Sequence, residues 1–191
     1  LEPAKIGALM RAIDGYEYVL VRCALKLLSL TFVRPGELRN ARWEEFRFDE
    51  RLWEIPAEKM KMKREHVVPL SKQAIALLKE LRSFSSYLKS EYLFPSLRSR
   101  HRPISDVTMH AALRRMGYDT KKDITPHGFR AMARTILHER LKFPPEVIEH
   151  QLAHAVPDAL GEAYNRTKFI DERKKMMQAW ADYLDEARRL V

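Results

Sequence analysis

Residues 43–70, WEEFRFDERLWEIPAEKMKMKREHVVPL, are where the hydrophobic period of the chain changes, and their reading decides the fold. Phe46 and Phe48 alternate with charged neighbours, and Asp49-Glu50-Arg51 has the composition of a turn. Leu52, Trp53 and Ile55 then lead to Pro56, and His66-Val67-Val68-Pro69 closes the segment. Apolar residues recurring with a period of two lie on one face of a strand, and polar clusters between such runs mark the turns. The segment predicts a small antiparallel sheet of about three strands, with residues 59–64 as an exposed connection before the last strand.

On both sides of this segment the spacing is helical. Ile6, Leu9, Met10 and Ile13 form one stripe that Asp14-Gly15 interrupts, and residues 18–30 read as a heavily buried helix. Pro35 suits the first turn of a short helix. Ser71 is a good cap for a helix over 72–81, and Ser105 for one over 106–116 that Gly117 ends. Thr125-Pro126 opens a helix running to Glu139, and Pro144-Pro145 opens a short one to Gln151. The last helix spans 169–189, with Met176, Met177, Trp180, Tyr183 and Leu184 on its apolar stripe. No repeat or Gly/Ser linker divides the chain. A single α+β domain over 1–191, mainly helical with one small sheet, is therefore expected.

Composition narrows the function. With 46% hydrophobic residues among 191, the chain has ample material for a core, which excludes a disordered tail. Cys23 is the single cysteine, which excludes a disulfide scaffold and a Cys-ligated zinc site and fits a reducing, cytoplasmic setting. The longest apolar stretch, around residues 18–33, is broken by Arg22 and Lys26, so no membrane span and no signal peptide is read. The 35 Lys+Arg against 26 Asp+Glu leave a net charge of +9, which implies an anionic partner, most simply nucleic acid. The bases recur in clusters: Arg39/Arg42, Lys59/Lys61/Lys63/Arg64, Arg98/Arg100/Arg102, Arg114/Arg115, Lys121/Lys122 and Lys174/Lys175. Each is either a solvated face or part of a track for a phosphate backbone.

Four places carry chemistry. Arg34 stands before Pro35-Gly36-Glu37, either as a surface charge or as a partner held by Glu37 one helical turn away. His127 and Arg130, at i and i+3, share one face of a helix start, where the helix dipole adds positive potential: an anion pocket, or a capping His beside a surface Arg. His154 follows Gln151-Leu152-Ala153, and Tyr164 lies ten residues further on. A phenol is a weak nucleophile at neutral pH and needs a base and a positive field to react. No Gly-rich phosphate loop or metal-ligand cluster is present, so neither cofactor nor metal is expected. Phosphoryl chemistry would then draw its charge stabilisation from Arg, Lys and His.

Taken in order, these residues resemble the tyrosine recombinases, the phage-integrase family. Arg34-Pro35-Gly36-Glu37-Leu38 is similar to the family's first arginine motif, and His127-Gly128-Phe129-Arg130 to its His-x-x-Arg motif. Leu152-Ala153-His154 resembles the Leu-Gly-His motif, with Ala153 in place of the usual glycine. Tyr164, followed by Asn165-Arg166, stands where the family's nucleophile stands. Aligned on Val68-Pro69-Leu70, the hairpin lysine of the family falls at Lys61, with Lys59 and Lys63 close by. Ala163-Tyr164-Asn165-Arg166 and the run from Met177 to Tyr183 resemble the P4-like prophage and genomic-island integrases.

The resemblance implies a metal-independent DNA strand transferase acting through a 3′-phosphotyrosine, with catalytic Arg34, Lys61, His127, Arg130, His154 and Tyr164 and with Glu37 orienting Arg34. It also implies double-stranded attachment sites as substrate and a tetramer on DNA. The chain would be the catalytic domain alone, without core-binding or arm-binding domains, and could be monomeric by itself. The last helix would pack on its own chain or dock on a neighbouring protomer. A type IB topoisomerase-like nicking enzyme and a non-catalytic DNA-binding module are the alternative readings.

Overall fold

The computed structural model describes residues 2–154 and 169–190. Helix α1 (Pro3–Asp14) buries the expected stripe of Ile6, Leu9, Met10 and Ile13, and Pro3 fits its first turn because no amide donor is needed there. Helix α2 (Val19–Thr31) buries Cys23, Ala24, Leu25, Leu27 and Leu28, and ends at Phe32 in the left-handed region, with φ 41°. Phe32 is fully buried against the edge of Trp180 and turns the chain directly into α3 (Pro35–Arg39).

The change of period at residue 43 yields the expected sheet. Strands β1 (Phe46–Arg47), β2 (Leu52–Ile55) and β3 (His66–Pro69) lie in the order β1-β2-β3, all antiparallel. The register sets Trp53 opposite both Phe46 and Val68, and Ile55 opposite His66. Trp53 is fully buried, stacks on Phe46 at 5.1 Å, and donates its indole N–H to Glu45 Oε2 at 2.9 Å. The β2–β3 connection is only partly the exposed loop expected. Residues 61–65 are exposed, but Ala57–Lys59 forms a 3-10 turn and Met60 is buried beneath it.

Helix α4 (Lys72–Ser85) begins as expected, with Ser71 Oγ accepting the Ala74 N–H at 3.2 Å, and outlasts its predicted end because Leu81 and Ser85 continue the buried face. A hairpin of β4 (Pro95–Ser96) and β5 (Ser99–Pro103) follows, which the sequence did not disclose. Helix α5 (Thr108–Arg115) starts two residues later than the Ser105 cap suggested, since Ser105 Oγ meets the Thr108 hydroxyl at 2.8 Å and not a backbone N–H. Gly117, at φ 92°, stops it in a conformation that side chains avoid. Helix α6 (Gly128–Glu139) is capped by Thr125, whose Oγ1 accepts the Gly128 N–H at 2.9 Å, so Pro126 lies in the lead-in turn.

Helix α7 (Pro145–Gln151) and helix α8 (Ile170–Arg189) complete the described residues. Met176, Met177, Trp180 and Leu184 of α8 are buried, Tyr183 partly so, and Trp180 donates to the Ser29 carbonyl at 2.7 Å. This helix packs on its own chain, against α1, α2, α4, α6, α7 and β3. The approach to α1 is close: a Cβ on Gly7 would lie 2.0 Å from the Ala187 carbonyl oxygen. No helix among the described residues is long and apolar enough to cross a membrane.

Candidate active site

Arg34 is placed by the turn between α2 and α3. Glu37, in the first turn of α3, reaches back to it twice, accepting the Arg34 N–H at 3.0 Å and its Nη1 at 2.9 Å. Glu37 is 5% exposed, so the ion pair is a fixed feature and not a solvent-screened surface contact. Of the two readings open for Arg34, the partner held by Glu37 is the correct one.

Arg130, in the first turn of α6, is 6% exposed. Its Nη1 donates to the Phe32 carbonyl at 2.8 Å and its Nη2 to the Leu152 carbonyl at 2.7 Å, with His154 Nε2 at 3.4 Å. A guanidinium has five N–H donors, so a fork held by two carbonyls keeps donors for an anion. Burial, and then the charge of Arg34, lower the Arg130 pKa to about 10. Two cations therefore face each other here, joined from residues far apart in the chain.

His127 sits just ahead of α6. Desolvation, followed by the charges of Arg130, Arg34 and His154, holds its imidazole below the ordinary value, which favours the neutral, proton-accepting form. His154 lies on the turn after α7. Its Nδ1 is hydrogen-bonded to Glu149 Oε2, and the Glu149 Oε1 accepts Arg134 Nε at 2.6 Å. Burial opposes ionisation of Glu149, but Arg134 and His154 outweigh it, and its pKa falls below the usual value. A carboxylate accepts only, so Nδ1 carries a proton and Nε2 is the atom turned toward Arg130.

The turn that carries His154 is gripped along its backbone. His66 Nε2 bonds the Gln151 carbonyl at 3.0 Å, Arg130 the Leu152 carbonyl, and Arg34 the Ala153 carbonyl at 3.5 Å. Ala153 is left-handed, with φ 51°, which is the physical reason a glycine suits this position.

The lysines divide. Lys59 is committed, bonded to Glu45 and to the Asn40 carbonyl, and Lys63 reaches the Glu58 carbonyl at 3.2 Å. Lys61 is exposed on the β2–β3 connection and has no hydrogen bond or ion pair among the described residues. Tyr164 lies outside the described residues. The structure thus brings Arg34, Glu37, His127, Arg130 and His154 together, and leaves Lys61 on a neighbouring loop. The Arg39/Arg42 cluster is partly engaged within the chain. Arg39 donates to the Ile104 carbonyl at 3.1 Å, and Arg42 covers the Tyr92 ring and pairs with Glu91.

Residues 1–169 match the Phage integrase family. The chain belongs to that family. The chain is 47% identical over 180 residues to the integrase of Enterobacteria phage P4, covering 87% of this chain and 40% of that protein. It is 41% identical over 166 residues to prophage integrase IntA of Escherichia coli K12, covering 87% and 39%. With prophage integrase IntZ of the same strain it shares 39% over 182 residues, covering 95% and 44%. The chain thus spans less than half the length of these three relatives. Its fold is that of XerA recombinase, with TM-score 0.66 at 16% identity over 100% of this chain and 65% of that one. It is also that of the lambda integrase dimer bound to a COC′ core site, with TM-score 0.58 at 21% identity over 87% and 47%.

Glu149 is the residue of this candidate site that the sequence did not single out. Five positions before His154 it falls on no common helical face, and only the turn closed by Ala153 brings it to the imidazole.

Proposed function

We propose that this integrase chain is the catalytic part of a site-specific DNA recombinase, which cleaves and rejoins attachment-site DNA in the cytoplasm and so integrates or excises a mobile element. The observation that carries the reading is the convergence of Arg34 and Arg130, with His127 and His154, at the junction of α3, α6 and the α7 terminus.

In the reaction we assign, the Tyr164 phenolic oxygen attacks the scissile phosphorus in line. A Tyr164–phosphorus bond forms, the bond to the 5′-oxygen breaks, and the DNA is left as a 3′-phosphotyrosine. His127, held neutral, accepts the phenolic proton. Lys61 donates a proton to the departing 5′-oxygen. Among the three hairpin lysines this role suits Lys61, because Lys59 is spent on Glu45 and Asn40. Arg34 and Arg130 donate forked hydrogen bonds to the non-bridging oxygens, where charge builds, and His154, with its Nδ1 proton held by Glu149, adds a further donor from Nε2 in the imidazolium form. Removing one such donor costs roughly 3–4 kcal/mol of barrier. A 5′-hydroxyl from a second strand reverses the step, and the phosphodiester energy stays in the covalent bond throughout.

Partners follow from the same reading. The lambda integrase of known structure is a dimer on its core site, which supports double-stranded DNA and further protomers as partners of this chain; we extend this to a tetramer on two duplexes. The hairpin arginines Arg98, Arg100 and Arg102 are exposed and have no carboxylate partner among the described residues, as binding to a phosphate backbone requires.

Incubation with a nicked attachment-site duplex, followed by mass spectrometry, tests the proposal. A covalent adduct at Tyr164, absent in Tyr164→Phe, is expected. DNA binding without any adduct would instead mark a binding module. Relaxation of supercoiled plasmid regardless of sequence would mark a topoisomerase.

A further inference from the structure

Arg173 is the most deeply buried charged residue described, 1% exposed, yet it lies beside Lys174 and Lys175 in a basic run. It occupies the first core position of the α8 stripe, ahead of Met176, Met177 and Trp180. Among the described residues no carboxylate pairs with it. Its Nε donates to Gln151 Oε1 at 2.9 Å, and its Nη2 is hydrogen-bonded to the Val67 carbonyl. Burial alone lowers its pKa to about 10.

A guanidinium without a counter-ion is an expensive core residue, and a methionine or leucine would fill the same stripe without that desolvation cost. The position is therefore not explained by stability. What it does explain is alignment. Val67 belongs to β3, the strand that follows the Lys61 connection, and its neighbour His66 bonds the Gln151 carbonyl. Gln151 is thus held by its side chain from α8 and by its backbone from β3. The next two carbonyls accept from Arg130 and Arg34, and His154 follows. Tyr164 precedes Arg173 by nine positions. A planar fork can span two acceptors on different elements at fixed angles, which an ammonium cannot.

We propose that Arg173 is a positioning residue of the integrase site, bridging α8, β3 and the end of α7 so that the 151–154 turn presents His154 and the carbonyls that align both arginines. The role in the reaction rests on the strand-transfer reading above. The positioning itself does not.

Three variants test it. Arg173→Met removes the charge, Arg173→Lys keeps the charge without the fork, and Gln151→Met cuts the same link from the other end. The Gln151 substitution also removes a buried Nε2 that has no hydrogen-bond partner among the described residues, which offsets part of the cost of unpairing Arg173 Nε, and it leaves the guanidinium held by Val67 if Arg173→Met fails to fold. Each is measured for thermal midpoint, affinity for a nicked site duplex, rate of covalent adduct at saturating DNA, and titration of the His154 ring by NMR without DNA. Folded Met variants should bind DNA within about threefold of the parent and form adduct about 100-fold more slowly, the scale of an ångström-sized misplacement. The His154 titration should move with them, and Arg173→Lys should fall between. Full-speed adduct formation in any folded variant overturns the proposal. So does a rate loss that follows only the unfolded fraction while His154 titrates unchanged. If the parent protein forms no adduct, the strand-transfer reading fails alone, and the His154 titration still decides whether Arg173 positions the turn.

Discussion

Lowering the pH from 7 to 5 should remove about 2 kcal/mol of folding stability through His66 alone. This side chain is buried on β3, and its Nε2 bonds the Gln151 carbonyl, which only accepts, so Nε2 carries a proton. Burial, and then the Arg173 charge, depress its pKa from 6.5 to about 3. The unfolded chain takes up a proton below 6.5, whereas the native protein refuses it until about 3. The unfolded state therefore binds more protons throughout that window, and stability declines as pH falls through it. Each pH unit below 6.5 costs about 1.4 kcal/mol, and pH 5 lies 1.5 units below, which gives the 2 kcal/mol. Urea unfolding at both pH values, for the parent and for His66→Gln, measures it. Glutamine keeps an N–H donor for the Gln151 carbonyl but does not titrate, so its decline should be smaller by about that amount. Asp14 and Glu149, whose carboxyls lie below their ordinary values, act at more acidic pH, and His127 is common to both proteins. An equal decline in the two proteins refutes the assignment of His66 as a buried neutral donor.

Other outcomes follow from the same geometry. Ala153→Gly should stabilise the protein by roughly 0.5–1 kcal/mol, since relief of the left-handed backbone exceeds the extra flexibility of glycine in the unfolded chain; a thermal midpoint at or below the parent's contradicts this. Glu149→Gln should slow adduct formation by about 10- to 100-fold at unchanged DNA affinity, the scale seen for carboxylates that orient metal-bound histidines. In single-turnover assays a rate within about twofold of the parent removes Glu149 from the site. Replacing Arg98, Arg100 and Arg102 by Gln should flatten the dependence of log affinity on log salt by about 0.9 for each phosphate that is no longer neutralised. An unchanged slope in a salt titration places the hairpin away from DNA.

Local pattern determined much of this protein. The switch to a two-residue period disclosed the β1–β3 sheet, because burial alternates along β1 and β2, while β3 is buried on both faces and was read from its short apolar run. Stripes, prolines and caps disclosed the helices, and one-turn spacing disclosed Arg34 with Glu37 and His127 with Arg130, since groups three apart on a helix share a face. The β4–β5 hairpin was not legible: residues 97–102 are almost wholly exposed, so burial leaves no alternation to read. Arg173 and Arg98 both look like surface bases in sequence, yet one is core and one is solvent.

Only the tertiary structure decided which cations share a site. Arg34 meets Arg130 and the Ala153 carbonyl, Lys59 is withdrawn by Glu45, and Glu149 finds His154 through a left-handed alanine. Periodicity reports which face of an element is buried, because burial repeats with the geometry of that element. It carries no record of which distant element covers that face, and the charges of this site are paired across such junctions.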